Sequence, residues 1–94
     1  MSTIDHAQSD APFTQWVPVD SSVLLAARYT HAERLLQLAF RSGRVYQYIQ
    51  VPLRVFTDLL SADSSGTYFN QNIRDHFPFT ELPPPDLLRP FLEI

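Results

Sequence analysis

Gly43 is one of only two glycines in the chain, and it stands in the turn sequence Arg41-Ser42-Gly43-Arg44 between two runs of strand character. Before it, Leu36, Leu38 and Phe40 alternate along Leu35 to Phe40; after it, Val45 to Val51 is rich in β-branched and aromatic residues. A residue free to take positive φ between two such runs predicts an antiparallel hairpin. A third run precedes it, in which Val23, Leu25, Ala27 and Tyr29 alternate with period two and are expected on one face, with a turn at Thr30 to Arg34. Register decides where the hairpin tyrosines go. A loop of two or four residues pairs Phe40 with Val45, whereas a three-residue loop pairs Phe40 with Tyr46 and turns Tyr46 and Tyr48 inward.

Pro52 follows the third strand and suits the first turn of a helix, because it has no N–H to leave unpaired. Val55, Phe56, Leu59 and Leu60 recur behind it at helical spacing. The turn residues Ala62 to Gly66 end that helix, and Tyr68, Phe69, Ile73 and Phe77 predict a short second one that stops at Pro78. The expected fold is therefore α+β, a three-stranded antiparallel meander packed by one longer and one short helix. The domain is expected over residues 19–80, between a mobile N-terminal tail at 1–18 and a Pro-rich C-terminal tail at 81–94. In the latter, Pro83-Pro84-Pro85 is expected extended, as a spacer or a docking segment. Leu87, Leu88, Phe91 and Leu92 are expected to pack on the domain, to form a self-association surface or to stay loose.

Composition removes several function classes. The 94 residues suffice for one core, and a chain of this size buries about 60% of its unfolded surface. There is no cysteine, so no disulfide or thiolate metal site is available. No apolar run reaches the roughly 20 residues of a membrane span, and no secretory signal opens the chain, so a cytoplasmic location is expected. The formal net charge is −3, but Asp20 to Phe79 carries six arginines against five acids, which puts the acidic excess in the tails. All seven basic residues are arginine, a bias toward planar, bidentate or stacked contacts.

Several segments occur together and in order: Val19-Asp20-Ser21-Ser22, Tyr29, Phe40-Arg41-Ser42-Gly43, Val45-Tyr46-Gln47-Tyr48, Val51-Pro52, and Ser64-Ser65-Gly66-Thr67-Tyr68-Phe69-Asn70-Gln71-Asn72-Ile73-Arg74-Asp75. This arrangement resembles the KTSC domain family over about Val19 to Thr80. The family is named for the C-terminal segment of some lysyl-tRNA synthetases, occurs also as free-standing bacterial proteins, and carries a central Tyr-x-Tyr, matched here by Tyr46 and Tyr48. Ser65 departs from the basic residue often found before the glycine. The resemblance implies a module attached to RNA-handling enzymes, and RNA binding by association.

On that basis Arg41, Arg44 and Arg74 are candidate phosphate contacts, and Tyr46 and Tyr48 candidate stacking platforms for unpaired bases of a tRNA-like or single-stranded RNA. Both rings could equally pack beneath the helices. Asn70, Asn72 and His76 form a second candidate set, for a ligand or a protein partner. On a continuous helix Gln71 would neighbour Asp75, and Asn72 would neighbour His76. The bland alternative is a solvated face, with Arg74 paired to Asp58 or Asp63 and Asn70 capping a turn. The competing function is a protein-interaction or self-association module using aromatic and Leu-rich surfaces. No catalytic residue is expected: Asp75-His76 and the Ser64-Ser65 pair lack the surroundings of a triad. His6, His31 and His76 lie too far apart in sequence for a metal motif, so neither a metal nor a cofactor is expected.

Overall fold

A computed structural model describes residues 14–83. The two tails beyond them, including the apolar residues from Leu87 to Leu92, lie outside the described residues. Five strands and two helices follow one another: β1 (Val17–Pro18), β2 (Leu24–Thr30), β3 (Leu35–Phe40), β4 (Val45–Tyr48), α1 (Leu53–Ser61), α2 (Ser65–Asn72) and β5 (Phe79–Leu82). The strands form one antiparallel sheet in the order β1-β2-β3-β4-β5. The α+β class stands, but the expected three strands are five. The two extra ones are short edge strands, too brief for periodicity to register. Both cross the expected boundaries, β1 inside the segment 1–18 and β5 across residue 81. Pro18 is tolerated because β1 is an edge among the described strands.

The hairpin loop is Arg41-Ser42-Gly43. Phe40 N–H donates to the Arg44 carbonyl at 2.8 Å, and Gly43 N–H donates to the Phe40 carbonyl at 2.9 Å. Gly43 sits at φ +98°, where a side chain would be strained. Leu38 is thus opposite Tyr46, and Leu36 opposite Tyr48. The loop has three residues but starts one position earlier than the expected one, so Phe40 lies opposite Arg44, not Tyr46. Parity is unchanged, and both tyrosines take the face of Leu36 and Leu38.

The expected alternation of β2 is corrected by a register shift between Leu24 and Ala26. The extra residue, Leu25, moves Leu24 onto the face of Ala27 and Tyr29, where all three are buried. Leu25 packs instead in the second cluster on the opposite face, and Val23 is exposed.

Both helices cover the face bearing Leu24, Ala27, Tyr29, Leu36, Leu38 and Tyr48, inserting Phe56, Leu59, Phe69 and Ile73 into that core. The Tyr29 and Phe56 rings stack at 5.4 Å. Pro52, extended at ψ 149°, caps α1, and Ala62 returns to extended backbone at its end. Val55 and Leu60, expected in the apolar stripe, lie at its margin, half-buried and exposed respectively. The Ser64 hydroxyl accepts the Thr67 N–H and caps α2.

α2 ends at Asn72, four residues short of the turn's last residue before Phe77. The His76 N–H bonds the Ile73 carbonyl in a turn, and Asp75 takes φ +66°. The helical neighbours expected at Gln71 with Asp75 and Asn72 with His76 therefore do not form. β4 likewise stops at Tyr48, before Gln50 at φ +62°, and does not continue to Val51.

On the other face, Ala26, Ala39 and Val45 form a small cluster with Trp16, Leu25 and Leu82 against it. Beside it Arg28 Nε donates to Gln37 Oε1, and Gln37 Nε2 to Gln47 Oε1, both at 2.8 Å. The Arg28 guanidinium lies 4.6 Å from the Trp16 ring centre.

Candidate functional site

The register of β4 and the return of β5 beside it place an aromatic groove at the end of the helix-covered face. β5 pairs Phe79 with Tyr48 and Glu81 with Tyr46. The Phe79 ring meets Tyr46 edge-on at 5.4 Å and Tyr48 at 5.6 Å, while Phe40 meets Tyr46 and Phe69 at 5.5 and 5.2 Å. These rings wall an open groove of about 570 Å3 that Val23 also borders. The turn after α2 supplies its polar rim, Asn70, Arg74 and Asp75.

The two hairpin tyrosines differ. Tyr46 is half-buried between Phe40 and Phe79, whereas Tyr48 is 4% exposed. The Tyr48 ring is part of the core, packed against Phe69 and Phe79, and at 4% exposure it is not the free stacking platform that was expected. Burial pushes its hydroxyl pKa up to about 12, with Tyr46 and Asp75 adding to the rise and the Arg74 guanidinium opposing it, so it is a neutral O–H through the physiological range. Phe79 is the ring open to solvent, at 55% exposure.

The arginines are distributed around the site. Arg74 lines the groove and donates to Asn70 Oδ1 at 3.4 Å. Neither Asp58 nor Asp63 is its partner: Asp58 pairs with Arg54 at 3.5 Å, one turn away on α1. Arg41 lies outside the groove lining and donates Nε to the Ser21 carbonyl at 2.6 Å. Arg44 pairs with Glu81 at 3.4 Å, and hydrogen bonding to Tyr46 together with Glu81 raises its pKa. All three guanidiniums are exposed at the surface.

Of the second set only Asn70 reaches the groove. Asn72 donates Nδ2 to the Tyr68 carbonyl on α2, and His76 sits exposed in the turn beyond. The Ser64 hydroxyl is committed to capping, and the buried Ser65 hydroxyl donates to the Leu59 carbonyl at 3.1 Å, so neither is presented as a nucleophile. Among the described residues no group of three or more metal-ligating side chains converges, and no helix is long and apolar enough to cross a membrane.

Sequence reasoning thus reached Tyr46, Tyr48, Asn70, Arg74 and, as a member of the polar stretch, Asp75, and missed Phe40, Phe69 and Phe79 as lining of the site. Phe79-Thr80-Glu81-Leu82 does not alternate, so β5 left no signal of its own in the sequence. An Asp after a helix, a residue type that tolerates positive φ, was the signal for the rim.

Comparison with known proteins identifies the family and the fold. The KTSC domain profile matches residues 20–77. A crystal structure of a KTSC domain protein from Yersinia pestis is similar at a TM-score of 0.70 and 35% identity, covering 72% of this chain and 96% of that one. A protein of Tsukamurella paurometabola is 45% identical over 60 residues, spanning 64% of this chain and 90% of its own length. A lysine–tRNA ligase of a Nostoc species is 38% identical over 63 residues, which are 67% of this chain but 11% of the ligase.

Proposed function

The chain belongs to the KTSC domain family, and from that footing we propose that it is a small, non-enzymatic, cytoplasmic module that binds single-stranded RNA at the aromatic groove. The observation that carries this reading is the joining of an open aromatic ring, Phe79, to the guanidinium of Arg74 in one groove. Unpaired bases stack on such rings while arginines hold the backbone. Arg41 and Arg44, exposed on the hairpin, extend the cationic rim. The sharing of this domain with lysine–tRNA ligases is consistent with an RNA ligand. Phe79 replaces Tyr48 as the stacking surface.

The test is an NMR titration with single-stranded RNA and with tRNA at two salt concentrations. Shifts at Phe79, Tyr46 and Arg74 that weaken with salt, and a clear loss of affinity in the Arg41→Ala, Arg44→Ala double variant, are expected. Unchanged affinity in that variant removes the hairpin arginines from the reading; no binding at low salt removes RNA.

The second reading, a protein-interaction or self-association module, draws on the same exposed Phe79 and on the pairing of Arg44 with Glu81, which neutralises part of the cationic rim. Concentration-dependent mass in sedimentation, abolished by Phe79→Ala, is its expected outcome.

A further inference from the structure

Both helices lie on one side of the sheet, and no described helix or strand is stacked on the other. That second side is not built for water throughout. An antiparallel sheet with a solvated face carries polar side chains there. Here Ala26, Ala39 and Val45 are instead buried in a cluster, with Trp16, Leu25 and Leu82 against it. A polar row runs beside the cluster from Arg28 through Gln37 to Gln47, and the Arg28 guanidinium lies over the Trp16 ring. Two buried side-chain atoms have no hydrogen-bond partner among the described residues, Trp16 Nε1 and Thr30 Oγ1. Both belong to this side: Trp16 is in the cluster, and Thr30 follows Ala26 and Arg28 at every second position of β2. Burial without a partner is costly, so a further segment that brings hydrogen-bond acceptors suits this face.

The chain itself leads onto it. Leu82, the last residue of β5, is opposite Val45 and packs in the same cluster. Pro83-Pro84-Pro85 comes next. Three extended prolines cover about 9 Å, near two strand spacings of about 4.8 Å each, which is the span from β5 to β3. Beyond them Leu87, Leu88, Phe91 and Leu92 put four large apolar side chains within six residues, framed by Asp86 and Glu93. Those two carboxylates have the sign that suits Arg28, the charged member of the polar row. Burial lowers the Arg28 pKa, so opposite charge nearby favours its ionised form.

We propose that residues 86–93 fold back over the sheet face opposite the helices, setting their apolar side chains on the cluster of Ala26, Ala39 and Val45 and an acidic side chain beside Arg28. The sheet is then covered on both sides, and the aromatic groove stays open. The proposal makes no use of the groove and stands or falls apart from the RNA reading.

The chain has no cysteine and a single tryptophan, which gives two readouts in the full chain. A nitroxide attached to Glu93→Cys should broaden the NMR methyl signals of Ala26 and Ala39 more than those of Leu59 and Ile73 beneath the helices. The broadening should persist when the sample is diluted with chain that carries neither nitroxide nor isotope, as an intramolecular contact requires. The double variant Leu88→Asp, Phe91→Asp should shift Trp16 fluorescence to longer wavelength and raise its quenching by acrylamide, with the Leu59 and Ile73 signals unmoved. Broadening centred on Tyr46 and Phe79, or none at all, overturns the proposal. Broadening lost on dilution gives the face to a second copy and overturns it as well. Unchanged Trp16 fluorescence in a folded double variant does the same, and the nitroxide measurement decides should that variant unfold.

Discussion

The Tyr29 hydroxyl donates to the Val51 carbonyl oxygen at 2.6 Å inside the core, tying the end of β2 to the segment that launches α1. The same ring stacks on Phe56 of the helix that follows, so Tyr29 joins β2 to α1 by both its hydroxyl and its face. Tyr29→Phe keeps the ring and strands a buried acceptor. A loss of about 1–3 kcal/mol is expected in urea unfolding with an unchanged m-value.

Gly43 gives a second prediction, of different origin. A Cβ there meets nothing within 4 Å, so Gly43→Ala costs backbone strain at φ +98° and no clash. About 1–2 kcal/mol of destabilisation is expected, with strand pairing retained in amide exchange.

Ser64→Ala removes the acceptor for the Thr67 N–H at the start of α2. About 1 kcal/mol should be lost. Because α2 carries Phe69 and leads to Arg74, the variant should also broaden the NMR signals of the groove rim before global unfolding.

The Tyr48 hydroxyl sets an alkaline limit. Its folded pKa of about 12 stands above the ordinary 10, so between those values the unfolded chain has lost the proton that the folded chain keeps. The stabilising contribution is whole below pH 10 and is lost as pH rises through 12. Unfolding by urea at stepped alkaline pH should show this fall, and Tyr48→Phe should flatten it in part, Tyr68 also being raised by burial.

Much of the fold was legible because the hairpin obeys local rules: a glycine where positive φ is needed, β-branched runs on either side, a proline before an amphipathic helix. What escaped depended on contacts between distant segments. The extra residue at Leu25 reversed the apparent alternation of β2, since a pattern of every second residue says nothing of where one is inserted. β5 exists because β4 offers it a partner; four mostly exposed residues carry no strand signal of their own. The groove was half legible for the same reason. Tyr46, Tyr48, Asn70 and Arg74 were visible as residue types, but Phe79 joins them only through the pairing with Tyr48.

That last strand also bears on the behaviour of the chain at high concentration. β5 ends the described sheet and carries a proline immediately on either side, Pro78 and Pro83. A neighbouring molecule seeking to lengthen the sheet there meets four residues bracketed by positions that lack an amide hydrogen. Such an edge is a poor template for intermolecular β-pairing, so the sticky side chain of Phe79 is displayed on a backbone that resists aggregation.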